Sequence, residues 1–242
     1  DFDDTYRVNA SGDTVFENGA SGEDTVQSQI NYVLPSNVER LLLLAFGTAK
    51  VGTGNDQNNL IFGNELGNTL NGLGGVDELA GYGGNDILNG GADNDVLFGG
   101  EGLDRLDGGT GNDEMSGENG NDTYVVDSVM DVVNEALAGG AADAVETSLF
   151  NYTLPANVEV LKLTGGVGLL GNGNELANTI YGTAYADTLY GGLGNDRIEG
   201  GNGIDTLYGD DELDSLYGGQ GRDILYGGAG GDQLYGGTSG DT

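Results

Sequence analysis

A nine-residue period constrains this chain more than any other feature. Blocks of nine start at residues 54, 63, 72, 81, 90, 99, 108 and 117, and a second unbroken set starts at 173, 182, 191, 200, 209, 218, 227 and 236. The sixth position is always an acid or its amide: Asn59, Asn68, Asp77, Asp86, Asp95, Asp104, Asp113 and Asp122, then Asn178, Asp187, Asp196, Asp205, Asp214, Asp223, Asp232 and Asp241. The eighth is always apolar, from Ile61, Leu70 and Leu79 through to Leu216, Leu225 and Leu234. Side chains alternate faces along a strand, so each short stretch centred on position eight puts one apolar side chain inward. The glycine-rich remainder reverses the chain, glycine tolerating the positive φ that such turns need. Two blocks make one coil. Blocks 18 residues apart then stack at about 4.8 Å, the spacing of neighbouring strands.

Composition supports an ordered repeat only because of that period. The 242 residues include 49 Gly and 2 Pro, without the every-third-residue glycine of collagen. Aperiodic, so acidic and glycine-rich a chain would be expected to stay disordered. With 40 Asp plus Glu against 7 Lys plus Arg, the formal charge is -33, which excludes nucleic acid as a partner because phosphate contacts come from basic side chains. Without Cys or His there is no thiolate, imidazole base or Cys-type zinc site. The longest apolar stretch, Leu41 to Phe46, is too short for a transmembrane segment, and neither end reads as a signal peptide.

Thirteen of the 40 acids stand at position six. Stacked carboxylates about 5 Å apart repel by roughly 1 to 3 kcal/mol per pair. A divalent cation between them reverses the sign. Calcium suits such a turn because it accepts six to eight hard oxygens, carboxylate and carbonyl, in adaptable geometry; magnesium demands a stricter octahedron.

Copies such as Gly81 to Asn89 (GYGGNDILN), Gly191 to Glu199 (GGLGNDRIE) and Gly218 to Tyr226 (GGQGRDILY) resemble the G-G-x-G-x-D-x-U-x nonapeptide of the RTX (repeats-in-toxin) hemolysin-type calcium-binding family. The resemblance implies an all-β fold, a right-handed parallel β-roll or β-helix solenoid with calcium ions in the turns between coils. It also implies the ligands. The earlier block of each pair would give its second and fourth carbonyls and its Asp, and the block 18 residues on its first and third carbonyls and its Asp. Tyr82, Gly84 and Asp86 would thus face Gly99, Glu101 and Asp104, while Gly201, Gly203 and Asp205 would face Gly218, Gln220 and Asp223. Gly75 and Asp77 pair in the same way with Gly90, Ala92 and Asp95; Asp95 with Gly108, Thr110 and Asp113; and Gly100, Gly102 and Asp104 with Gly117, Asn119 and Asp122. In the second array Gly192, Gly194 and Asp196 pair with Gly209, Asp211 and Asp214. Asp214 then pairs with Gly227, Ala229 and Asp232, and Gly219, Gly221 and Asp223 with Gly236, Thr238 and Asp241. Asp187 is a further candidate ligand. Eight pairs imply roughly eight calcium ions. Gln57, Leu66, Leu176 and Tyr185 stand where the fourth-position glycine is expected, so their blocks should keep the coil and bind calcium poorly or not at all. Asp93 and Glu212 depart at the same position.

The segments outside the arrays resemble each other. Tyr32 to Glu39 (YVLPSNVE) matches Tyr152 to Glu159 (YTLPANVE), and Leu41 to Leu43 matches Leu161 to Leu163. An acid still precedes an apolar residue by two at Asp4/Tyr6, Asp13/Val15 and Asp24/Val26, and at Asp122/Tyr124, Asp131/Val133 and Asp143/Val145. These segments read as wider solenoid rungs, the repeat lengthening from 9 to about 11 or 12 residues; a small β-sandwich insert is the alternative. The expected organisation is wide rungs over 1–53, a nonapeptide roll over 54–125, wide rungs over 126–172 and a second roll over 173–242. Since the two arrays lie 119 residues apart in phase, from Gly54 to Gly173, the chain reads as two modules excerpted from a longer array.

Position nine of the second array carries Tyr181, Tyr190, Tyr208, Tyr217, Tyr226 and Tyr235. They form either a stacked ladder that stabilises the sheet or a sticky face for self-association or surface glycans. Carboxylate pairs are the only support for catalysis and are inevitable among so many acids. Lys50, Lys162 and the five arginines form no cluster. Two functions fit: a calcium-stiffened shaft, fibre or adhesin segment of a secreted or bacterial cell-surface protein, or, as the RTX resemblance implies, a calcium-responsive folding module attached to an effector or enzyme, the chain disordered inside the cell and folding outside after type I secretion. In both, metal binding supplies folding energy.

Overall fold

The computed structural model describes residues 2–19, 22–137, 139–238 and 240–242; Asp1, Ala20, Ser21, Ala138 and Ser239, within the expected segments, lie outside the described residues. The chain divides into two compact units, Asp1–Gly140 and Ala141–Thr242. Each is a parallel β-solenoid. No helix among the described residues is long and apolar enough to cross a membrane.

In the first unit one sheet stacks the strands Thr5–Val8, Thr25–Ser28, Arg40–Leu43, Leu60–Asn64, Glu78–Gly83, Val96–Gly102, Glu114–Gly120 and Val132–Asn134. The facing sheet stacks Tyr32–Val33, Val51–Thr53, Thr69–Gly74, Ile87–Ala92, Arg105–Thr110 and Thr123–Val126. From Thr25–Ser28 onward successive strands alternate between the two sheets, so the chain coils. The second unit repeats the plan, with Ala144–Thr147, Val160–Leu163, Thr179–Tyr181, Arg197–Asn202, Ser215–Gln220 and Gln233–Thr238 facing Asn151–Thr153, Leu170–Asn172, Thr188–Gly192, Thr206–Asp211 and Ile224–Ala229.

Register confirms the 18-residue coil. Leu79 pairs with Leu97 and Leu97 with Met115 on one side, and Leu70 with Leu88 and Leu88 with Leu106 on the other. These side chains are fully buried, as are Ile180, Leu189, Ile198, Leu207 and Leu216 in the second unit. They fill the space between the sheets as two files, each residue contacting the equivalent one a coil away. Positions seven and nine point outward.

The outer segments do continue as parallel rungs, but not at the expected repeat length. Thr5 pairs with Thr25, Thr25 with Arg40 and Arg40 with Leu60, giving coils of 20, 15 and 20 residues. In the second unit Ala144 pairs with Val160 and Val160 with Thr179, coils of 16 and 19. Some rungs are therefore shorter than the nonapeptide coil, because the corner loops, not the strands, change length. The Asp13/Val15 pair starts no strand: the Asp13 carboxylate accepts the N–H groups of Asn9 and Ala10 and closes a local turn.

Candidate metal sites

Every position-six Asp within the arrays is tucked under the sheet edge at 0 to 2 % exposure from Asp77 to Asp122 and from Asp187 to Asp223. One carboxylate oxygen is an inter-coil peg. Oδ1 of Asp95 accepts the Asp77 N–H at 2.8 Å, Oδ1 of Asp104 the Asp86 N–H at 2.7 Å, and Oδ1 of Asp113 the Asp95 N–H at 2.9 Å. The same 18-residue step joins Asp104 to Asp122, Asp187 to Asp205, Asp196 to Asp214 and Asp205 to Asp223. It is longer for Asp214 to Asp232 and Asp223 to Asp241, at 3.2 and 3.3 Å.

In nine of these carboxylates the other oxygen has no hydrogen-bond partner. Oδ2 of Asp77, Asp86, Asp95, Asp104 and Asp113, and of Asp196, Asp205, Asp214 and Asp223, is buried without a hydrogen-bond partner. Leaving a buried charged oxygen unsatisfied costs several kcal/mol, so nine such atoms in register call for a counter-charge. Burial pushes the carboxyls of Asp77, Asp86, Asp196 and Asp205 up to about 7 and that of Asp95 to about 6, opposed by the backbone hydrogen bond and reinforced by the next Asp in the column. Asp104, Asp113 and Asp214 are raised by burial too.

The orphan oxygens face carbonyls. A methyl group on Gly72 would lie 2.1 Å from Asp77 Oδ2 and 2.5 Å from the Gly90 carbonyl oxygen, and one on Gly81 2.2 Å from Asp86 Oδ2 and 2.6 Å from the Gly99 oxygen. Likewise Gly90 and Gly99 bring together Asp95 with the Gly108 carbonyl and Asp104 with that of Gly117. Gly191, Gly200, Gly209 and Gly218 do so for Asp196 with Gly209, Asp205 with Gly218, Asp214 with Gly227 and Asp223 with Gly236. In all eight expected pairs, then, the earlier carboxylate and the later first-position carbonyl converge on one spot. Position one is glycine for space, since a Cβ would fill that spot.

Positions two and four hold the left-handed conformation instead. Tyr82 and Gly84 have φ of 76° and 103°, and Gly75, Gly100, Gly102, Gly192, Gly194, Gly201, Gly203, Gly219 and Gly221 are also positive. So are Asp93 and Glu212, at 77° and 78°, which keep the loop shape despite their side chains. Third-position residues sit paired at strand ends: Ala92 with Thr110, Glu101 with Asn119, Asp211 with Ala229 and Gln220 with Thr238. Carbonyls among them are already engaged, Glu101 by the Gly84 N–H at 2.9 Å, Gln220 by that of Gly203 at 2.8 Å and Thr238 by that of Gly221 at 3.5 Å, which leaves each one lone pair.

The first two blocks of each array differ as a class. Neither second nor fourth position is positive in the blocks starting at 54, 63, 173 and 182. Their second-position N–H folds back onto position six: Asn55 to Asn59 Oδ1, Asn64 to Asn68 Oδ1 and Asn174 to Asn178 Oδ1, each at 2.7 Å, and Thr183 to Asp187 Oδ2 at 2.6 Å. The Thr183 hydroxyl also donates to Asp187 Oδ2, so Asp187, a candidate ligand by sequence, is satisfied without a metal.

Two members of the peg column escaped the sequence reading. Oε2 of Glu39 accepts the Asp24 N–H at 2.9 Å and Oε2 of Glu159 the Asp143 N–H at 3.0 Å. Their signal was present, since each precedes a buried leucine, Leu41 or Leu161, by two. Glu does in the 15- and 16-residue coils what Asp does in those of 18. Asp4, Glu17 and Asp24 also gather carboxylate oxygens within 4.8 Å of one another; Glu17 Oε2 accepts the Tyr6 hydroxyl at 2.7 Å, which helps push the phenol up to about 12.

With this geometry in place, the RTX calcium-binding nonapeptide repeat matches four times, at residues 62–97, 89–124, 172–207 and 208–242, together more than half of the chain. The chain belongs to this family. No curated protein matches it. The RTX repeats coincide with the coils that carry the orphan oxygens, and the matched solenoid is a calcium-binding structural repeat. In the position-nine column of the second array Tyr190, Tyr208 and Tyr226 stack at 4.6 and 4.8 Å, and Tyr217 stacks on Tyr235 at 4.8 Å with the Arg197 guanidinium over the Tyr217 ring at 4.2 Å.

Proposed function

We propose that this chain is a calcium-folded structural segment of a secreted or bacterial cell-surface protein, a shaft, fibre or adhesin region, and that it performs no catalysis. The observation that carries the reading is the register of buried, partnerless carboxylate oxygens, eight of the nine converging with the first-position carbonyl of the block 18 residues on. Each would lie beside a calcium ion, held by Asp Oδ2 and first-position carbonyl with the left-handed second- and fourth-position carbonyls completing the oxygen set, for roughly eight ions. Bound calcium supplies the positive charge that offsets the stacked carboxylates. The chain's own part is to hold oxygens in place: the pegs set the coil spacing, glycine at position one leaves room, and the apolar files exclude water.

The proposed boundaries at 53/54, 125/126 and 172/173 rest on the nine-residue period, which opens at Gly54 and again at Gly173. The alternative, a folding module serving an attached effector or enzyme during type I secretion, rests on the same chemistry, because coils whose charges demand calcium are unfolded where calcium is scarce. The stiff tyrosine ladder favours the shaft. Its rings spend their faces on one another, leaving edges and hydroxyls for lateral self-association or glycan contact.

Calcium titration of the chain with circular dichroism and small-angle scattering tests the reading. Gain of β structure and compaction at a stoichiometry near eight is expected; identical spectra in calcium and in chelator would overturn it.

A further inference from the structure

We infer that residues 25–71 and 144–190 fold without calcium and act as hydrogen-bonded seeds on which the calcium-dependent coils are laid down. The inference concerns the opposite of a metal site, and it rests on the proposed calcium reading only for the arrays that follow each seed.

The first observation is a pair of asparagine clasps. Asn55 Nδ2 donates to the Pro35 and Val38 carbonyls at 2.8 and 2.9 Å, while Asn174 Nδ2 donates to those of Pro155 and Val158 at 2.7 and 2.8 Å. Each clasp is locked from behind. Asn55 Oδ1 accepts the Gln57 N–H at 2.9 Å and Asn174 Oδ1 the Leu176 N–H at 2.8 Å, and the position-six amides Asn59 and Asn178 donate to the same Asn oxygens at 3.3 and 3.1 Å. Carbonyls are therefore gathered by neutral N–H donors, the task that a cation performs in the calcium-type turns. An amide cannot be released by a chelator.

The second observation is independent of the first. Within 25–71 and 144–190 no carboxylate oxygen is orphaned, whereas the calcium-type coils carry one in each block from 72 to 108 and from 191 to 218. The third is the core. Eight apolar side chains are buried in the 47 residues 25–71 (Val26, Leu34, Val38, Leu41, Leu43, Ala49, Ile61 and Leu70), against five in the 47 residues 72–118 (Leu79, Leu88, Leu97, Leu106 and Met115). The second seed buries nine in the same length, from Ala144 to Leu189. More apolar burial per ordered residue and no orphaned carboxylate oxygen give these coils a reason to fold that the arrays lack. Because the last rung of each seed already presents a finished strand edge, the first calcium-type coil has a template.

The test is amide hydrogen exchange of the full chain in calcium and in chelator, with the variants Asn55→Ala plus Asn174→Ala and the isosteric Asn55→Asp plus Asn174→Asp. In chelator, 25–71 and 144–190 should keep protection while 72–118 and 191–235 lose it; the variants should lower the chelator-resistant protection about 10- to 100-fold, as expected when a buried partner is left unsatisfied. In calcium the arrays of both variants should still be protected. Loss of protection along the whole wild-type chain in chelator overturns the seeds and leaves the calcium reading intact. Protection of the arrays in chelator overturns the calcium reading. Seed protection unchanged in both variants overturns the role of the clasps.

Discussion

Replacing Asp95 by Asn should strengthen its coil without calcium and weaken it with calcium. Asn keeps the Oδ1 that accepts the Asp77 N–H at 2.8 Å, and the backbone N–H of residue 95 still donates to Asp113 Oδ1 at 2.9 Å. Only the orphan Oδ2 and the charge are lost. Carboxylates one coil away lie about 5 Å off, so removing the charge relieves up to about 1 to 3 kcal/mol of repulsion from each of Asp77 and Asp113, in proportion to how far they are ionised. With calcium the sign reverses, because Asp95 belongs to two proposed sites, one shared with Asp77 and one with Asp113. At a free concentration one hundred times the dissociation constant each site contributes about 2.7 kcal/mol, so losing both forfeits about 5 kcal/mol. Urea unfolding followed by circular dichroism, run in chelator and in millimolar calcium, reads both signs, and calorimetric titration should show two fewer ions. Equal destabilisation in both conditions would mean that Asp95 is only a structural peg, and unchanged stoichiometry would remove it from the ligand set.

Acid should partly replace calcium: the carboxyls of Asp77, Asp86, Asp196 and Asp205 stand at about 7 in the fold against 3.8 in the ordinary group, so the calcium-free coil takes up protons and gains stability as pH falls from about 7 towards 4, and loses it as pH rises through 7. Circular dichroism of calcium-stripped protein should show more β structure at pH 5 than at pH 8, while the calcium midpoint moves to higher concentration at pH 5. Gly81→Ala, whose Cβ would meet Asp86 Oδ2 at 2.2 Å, should abolish the site between Asp86 and Asp104, seen as one ion fewer by calorimetry. Leu97→Ala, fully buried, should cost about 2 to 5 kcal/mol in calcium by urea unfolding, whereas Leu234→Ala, at 48 % exposure, should cost under about 1 kcal/mol. Tyr208→Ser removes two ring stacks and should cost about 1 to 3 kcal/mol by thermal unfolding in calcium.

The parts of the fold legible in the sequence are those where one residue type does one job. Position eight must be apolar and inward and position six an acid or its amide, so both files and the coil length follow from counting. Glycine was harder, because it does two jobs. At position one a Cβ would meet the carboxylate; at positions two and four the backbone is left-handed. The second requirement is masked because Leu73, Tyr82, Glu118 and Asp210 all adopt φ between 70° and 87° at position two. A non-glycine residue held there costs about 1 to 2 kcal/mol, which the neighbouring coils impose. Glu39 and Glu159 depart from the Asp/Asn pattern because the 15- and 16-residue coils use the longer side chain as the peg, and the outer rungs depart from a fixed repeat because their corner loops shorten as well as lengthen.

Each Asp in the interior of an array serves two coils, its Oδ1 fixed to the backbone of the coil before and its Oδ2 turned toward the first carbonyl of the coil after. No coil can therefore complete its ligand set until its neighbour is in register. Stability then behaves as a chain of nearest-neighbour terms, in which a first calcium-type coil forms with difficulty and each later one forms on a ready edge. That arrangement sets where a defect is felt. Substitution in the middle of an array, as at Asp95, should disturb two sites and split the array into shorter runs. At Asp77 it touches only one calcium-type pair, because on the other side the Asp77 carboxylate accepts the N–H of Asn59, whose own side chain is satisfied within its loop. Asp77→Asn should accordingly lower the calcium stoichiometry by one, half the loss expected at Asp95. Equal losses at the two positions would show that ligands are not shared between coils.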